Sequence, residues 1–378
     1  MKLKTVVKIG TIISVLMFCL AVLLYSLNLW DSTARNREVN LFSLIPSHTV
    51  SVLETDNIYG FLNEISIQEY GDELKKIKVL GQFNFILQLL NEYADRETHG
   101  LSSKMNRMLV SLHESDSLRD WVVYIGLGNG DEKLMKTILQ NITSTEYLSK
   151  EESYRGKLIE VYPLSNDEYL TTYSEAGFVA LSLQKRLIEQ VIDAHIDGKS
   201  LNDDSMFSEI LSKRKSKQNL VLYARTSELP FLTTDTPCWS EYDFHLNSDV
   251  FYLTGETYLP DNIGIEWKEN WQNTCYSEDE FFLTSDNDSV SLYMDRVYEE
   301  DLLTRSLFKQ CIANLSKDAS FSLIADLQKI KSGAAAYSDC FPSTIKENIS
   351  LLEPFVLSLQ YFQTDNQFSH IWVFTYKN

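Results

Sequence analysis

Seven prolines and fourteen glycines in 378 residues are too few for a collagen-like or long disordered tract. Basic residues are also short, with 34 Lys and Arg against 53 Asp and Glu. Residues 1–30 hold Lys2, Lys4 and Lys8 and no acid, which leaves 31 basic and 53 acidic groups, a net charge of −22, on the rest. A surface of that sign repels phosphate backbones, so nucleic acid is not an expected partner. Cysteine is sparse as well. Outside Cys19 there are Cys238, Cys275, Cys311 and Cys340, spaced 37, 36 and 29 residues apart, which fits no metal-binding signature. There is no H-E-x-x-H, no G-x-S-x-G and no EF-hand loop, and no two of the six histidines lie four apart. No cofactor or metal is expected.

What the chain does have is one long uncharged run, Ile9 to Leu27. As a helix its 19 residues reach roughly 28 Å, the thickness of a bilayer's hydrocarbon core. Tyr25 and Trp30 fall where aromatics favour the interface, and the three lysines keep the N-terminus in the cytoplasm. A cleaved signal peptide has a shorter apolar region ending in a small-x-small site, and Met17-Phe18-Cys19 does not resemble a lipobox. The expectation is a cytoplasmic basic terminus at 1–8, an uncleaved signal anchor at 9–30 and a polar tether at 31–40. The protein is then a single-pass inner-membrane protein with its body in the periplasm. Export makes disulfides admissible, and Cys238, Cys275, Cys311 and Cys340 are candidates for two of them, in any of three pairings. Free buried thiols are the alternative.

Beyond the tether, hydrophobic periodicity sets out an α+β fold with mostly antiparallel strands and packed helices. Strands are expected at Thr49–Glu54, Met108–His113, Trp121–Leu127, Lys157–Tyr162, Tyr169–Tyr173, Gly177–Leu183, Leu220–Ala224 and Phe251–Tyr258. A hairpin is expected from Phe355–Phe362 and His370–Tyr376. Helices are expected after Asp56, over Phe83–Arg96, over Asp131–Ile142 and over Gln184–His195. Val50 to Tyr59 echoes Val290 to Tyr298, each read as a strand closed by an Asp that opens a helix. The echo suggests two related modules, 41–284 and a smaller 285–378.

Ile45-Pro46-Ser47-His48-Thr49-Val50-Ser51-Val52, the strand–Asp–helix unit and Asp249-Val250-Phe251-Tyr252-Leu253-Thr254-Gly255 together carry a resemblance. Over most of residues 41–378 the chain resembles a domain-of-unknown-function family of N-terminally anchored cell-envelope proteins from Bacteroidetes. The resemblance implies an envelope location and brings no catalytic residues.

Three motifs invite an enzymatic reading. Pro342-Ser343-Thr344-Ile345-Lys346, Ser285-Asp286-Asn287 and Lys331-Ser332-Gly333 resemble the boxes of penicillin-recognising serine enzymes, but in an order those enzymes do not use. Ser343 as a helix cap and Ser285-Asp286-Asn287 as a turn explain them. Gly126-Leu127-Gly128-Asn129-Gly130 sits where a phosphate loop would lie, yet Asp131 and Glu132 occupy the helix start that an anion needs. It reads as a turn with acids placed well for the helix dipole. Residues 238–282 are rich in aromatics, and Trp239, Tyr242, Trp267 and Trp271 form a candidate binding patch for a glycan or an envelope protein. Strand alternation would instead bury about half of such a set. The leading expectation is a membrane-anchored, non-enzymatic binding or scaffolding protein. An extracytoplasmic hydrolase is the alternative.

Overall fold

In a computed structural model the described residues are 39–57, 64, 67–72, 107–113, 120–128, 131–142, 149–164, 168–214, 220–259, 264–268, 274–301, 303–332, 341, 343–364 and 367–377. The expected anchor at 9–30, most of the tether, and the helices after Asp56 and at Phe83–Arg96 lie outside them. No helix among the described residues is long and apolar enough to cross a membrane.

Within those residues the fold is α+β and antiparallel. One sheet takes in sixteen strands: β1 (Ser51–Thr55), β2 (Met108–Leu112), β3 (Trp121–Gly126), β4 (Lys150–Tyr154), β5 (Lys157–Pro163), β6 (Tyr169–Glu175), β7 (Phe178–Ser182), β8 (Val221–Glu228), β9 (Leu232–Leu246), β10 (Val250–Tyr258), β11 (Ile265–Trp267), β12 (Cys275–Ser277), β13 (Phe281–Thr284), β14 (Phe321–Asp326), β15 (Phe355–Thr364) and β16 (Gln367–Tyr376). Their order is 12-13-14-15-16-10-9-8-1-2-3-7-6-5-4, with β11 on β9. Seven helices accompany them: α1 (Asp131–Ile142), α2 (Lys185–Asp197), α3 (Ser205–Lys213), α4 (Asn287–Tyr298), α5 (Leu307–Ala313), α6 (Leu327–Ser332) and α7 (Ser343–Leu352).

Helices cover both faces. On one face, α1 sets Met135, Ile138 and Leu139 against Val110, Val123 and Val179. Further along that face α6 and α7 bury Leu327, Ile330, Ile345 and Leu352 among Leu357, Trp372 and Phe374. On the other face, α2 and α3 bury Leu187, Val191, Phe207 and Ile210 with Tyr173, Phe178, Tyr223 and Trp239. At the far end of this second face α4 and α5 pack Val290, Met294, Phe308 and Ile312 on Phe282 and Ile324. Each fully buried side chain of this size contributes about 1.5–3 kcal/mol, and the four cores together hold the seven helices on the sheet.

The strand–Asp–helix echo fails in its second copy. Val290 to Tyr298 is helical, because Asp286 caps α4 and accepts from the backbone N–H of Asp288 and Ser289. Val290, Met294 and Val297 then follow a helical spacing and are buried together. The strand before that Asp is β13. The expected module boundary near 285 also falls inside a continuous structure, since β10 pairs with β16 and β13 with β14. Phe251, Phe281, Leu323 and Phe374 share one core across it.

Candidate functional site

The site is built on the face that carries α3 and α5. Trp239 on β9 packs 5.0 Å from Phe207 of α3, and the Thr375 hydroxyl on β16 lies 4.0 Å from Cys311 Sγ of α5. The register joins these points. Tyr258 pairs with Trp239, Thr254 with Asp243 and Tyr252 with His245 across β9 and β10. Thr254 pairs with Ile371, Tyr252 with Val373 and Val250 with Thr375 across β10 and β16. Side chains two apart share a face, so α3 and α5 stand on the same side of the sheet. α3 packs on β9, and α5 on β14 and β15. Between them His245, Tyr252, Thr254, Glu256, Ser369, Ile371 and Val373 are only half-buried. They form an open trough.

Its α3 side is a charged cluster. Asp204 caps α3 by accepting from the N–H of Met206 and Phe207 and takes the Trp239 indole N–H at 3.3 Å. That fixes α3 on the sheet and brings the residue after it, Arg214, over the strands. The Arg214 guanidinium lies 3.1 Å from Glu54 of β1 and 3.3 Å from Asp243 of β9. The Tyr223 hydroxyl donates to Glu54 at 3.0 Å and takes a further bond from Arg214. Arg107 approaches Glu54 and Asp56 at 3.7 Å. Burial works against the Arg214 charge, yet Tyr223, Glu54 and Asp243 raise its pKa above the ordinary value.

Two carboxylates stand outside this pairing. Thr254 with Asp243 and Thr257 with Ser240 set Glu256 of β10 opposite Glu241 of β9. Like charges so placed oppose each other. Glu256 accepts from the Tyr258 hydroxyl at 2.8 Å. Glu241 is 8% exposed, and its Oε2 makes no hydrogen bond. Burial and then the charge of Asp243 push the Glu241 carboxyl up to about 7. Its backbone is pinned from the other face. The His370 ring on β16 reaches across Gly255 of β10 and bonds the Glu241 carbonyl at 3.0 Å. A Cβ on Gly255 would lie 2.0 Å from that carbonyl oxygen, so only glycine fits.

The expected aromatic patch is not one surface. Trp239 is fully buried under α3, and Tyr242, three residues on, faces the opposite core beside His370 and Trp372. Trp267 is 37% exposed but stacks on Phe231, and Trp271 lies outside the described residues. Cys238, Cys275 and Cys311 are free thiols, and Cys340 lies outside the described residues. Burial pushes the Cys238 and Cys311 thiols up to about 11, so both are inert at neutral pH.

The enzyme-like motifs settle into structural roles. Asp286 caps α4 and Ser343 opens α7. Asp131 takes the Gly128 N–H at 2.6 Å, closing the turn before α1. One constellation that sequence reasoning missed resembles a hydrolase site: Ser111 Oγ lies 2.8 Å from His113 Nε2 and 3.2 Å from the Tyr124 hydroxyl. Asp120 is close by in an ion pair with Arg186. Ser111 and Tyr124 are fully buried, however, and burial holds His113 down to about 4. No substrate carbonyl reaches that hydroxyl. Among the described residues no three His, Cys, Asp or Glu side chains group to hold a metal ion. The chain matches no family model, no curated protein and no solved structure.

Proposed function

We propose that this is a membrane-anchored, non-enzymatic envelope protein, with residues 9–30 in the inner membrane and its body in the periplasm. Its ligand surface is the open sheet face between α3 and α5. One observation carries the reading: helices cover both ends of that face, the strand residues between them are only half-buried, and next to them the buried Glu241 has a carboxylate oxygen that bonds nothing. Buried charge without a partner is costly to keep, and functional sites are where proteins keep it. The resemblance to anchored envelope proteins of Bacteroidetes supports the same location. A hydrolase finds its nearest counterpart in Ser111 and His113, whose burial counts against it.

The test is crosslinking of the anchored chain in its native membrane, with Thr254→Arg as the comparison. A partner recovered with the natural chain and lost with the variant supports the reading. Equal recovery from both refutes the placement of the surface. Protease added after the outer envelope is permeabilised should digest the body. Protection until the inner membrane is lysed refutes the topology.

A further inference from the structure

We infer that Glu241 and Glu256, facing each other across β9 and β10, form a subsite for an alkylammonium group, the side chain of a lysine in a partner polypeptide. The inference rests on the reading of this face as the binding surface. Among the described residues, Arg214 answers Glu54 and Asp243, while no ion pair reaches Glu241 or Glu256. A carboxylate more than nine-tenths buried, with an oxygen that bonds nothing, lacks a donor that a ligand can bring. The His370 bond to its carbonyl and the close approach of Gly255 hold the Glu241 backbone in place beneath the face.

The ligand's chemistry follows from the surroundings. Two carboxylates at opposed positions of neighbouring strands suit a compact ammonium with three donors better than a planar guanidinium, which pairs in parallel with one carboxylate. Beside them Thr254 and Ile371 lie opposite each other, and Val373 follows. That strip offers partly apolar ground for a four-carbon stem leading to a charged head. A divalent metal is the poorer fit, because no third ligand converges there among the described residues. The groups facing Glu241 are Asp243 on its own strand, Glu256 on β10, Tyr223 on β8, Glu54 on β1 and Arg214 at the end of α3. The three acids raise its proton affinity and Arg214 lowers it. A cation that needs the ionised form therefore binds more tightly as pH rises through about 7.

The experiment titrates the full chain, held in detergent, with a fluorescent nonapeptide of alternating Lys and Ser. The same peptide with Nε-acetyllysine, the same peptide with Arg, and n-butylammonium serve as competitors. The inference predicts that Glu256→Gln, a half-exposed change that leaves the core alone, weakens lysine-peptide binding at least tenfold. Glu241→Gln does likewise, and Glu132→Gln on the distant α1 leaves it within twofold. The acetylated peptide should fail to compete, and the Arg peptide should compete more weakly. No binding of the lysine peptide, binding unchanged in both Gln variants, or equal competition by the acetylated peptide overturns the subsite. Competition by n-butylammonium equal to that of the peptide overturns the polypeptide as its source. If these fail while the Thr254→Arg variant still loses its crosslinked partner, the subsite falls and the binding face stands. If both fail, both fall.

Discussion

Replacing Glu241 by Gln should make the protein more stable above about pH 5, with the full gain at neutral and alkaline pH. The carboxyl's ordinary value is 4.5 and the fold raises it to about 7. Between those values the folded chain holds a proton that the unfolded chain has released, so stability is full below 4.5 and falls as pH rises through about 7. At about 1.4 kcal/mol for each tenfold change in proton affinity, the complete deficit is about 3 kcal/mol. Gln has the same shape, carries no charge at any pH and can donate to Glu256. Urea denaturation of the full chain in mild detergent, followed by tryptophan fluorescence, should show the variant about 3 kcal/mol more stable at pH 8. At pH 5 the difference should shrink below about 1 kcal/mol. A variant equal to or weaker than the natural chain at pH 8 refutes the claim that Glu241 is a buried charge without a partner.

Arg214→Met removes the guanidinium that bridges Glu54 and Asp243. It should cost about 3–5 kcal/mol, and denaturant midpoints at pH 7 check it. Gly255→Ala should cost roughly 2–4 kcal/mol, since the new Cβ meets the Glu241 backbone; thermal melting of that variant tests the clash. Burial lowers the His370 pKa from 6.5 to about 3, so the unfolded chain takes up a proton that the folded one refuses. Stability should therefore fall as pH drops from about 6.5 toward 4, and His370→Gln should flatten that limb of a pH–stability profile. In a Cys19→Ser, Cys340→Ser background, a thiol reagent should label Cys275 in the native protein. Cys238 and Cys311 should react only after unfolding.

The elements that could be read from the chain are those whose local chemistry agrees with their burial. α1 opens on Asp131 and Glu132 with one apolar face, and it runs where expected. β16 alternates buried and half-buried positions, and it pairs with β15 along their full length on either side of Thr364-Asp365-Asn366. β9 is not legible in the sequence although it has fifteen residues, because its positions under α3 and beside it are Trp239, Glu241 and Asp243. An inward position filled by acid breaks the alternation that marks a strand. The same break is what distinguishes the site. Once β9 is seen as a strand, parity alone separates Trp239 from Tyr242 and joins Trp239 to Glu241. Local sequence cannot show that β1 lies beside β8, or that β10 lies between β9 and β16. Those long-range pairings assemble the trough, so its acids looked like ordinary surface charge.

The open face between α3 and α5 is the proposed place at which this protein meets its ligand. A photo-crosslinking amino acid at Thr254, compared with one at Glu132 on α1, tests it most directly in the native membrane. A discrete adduct at Thr254 that is absent at Glu132, and lost when Glu256→Gln is added, is the predicted result. No adduct at Thr254, or the same adduct at both positions, would refute that placement.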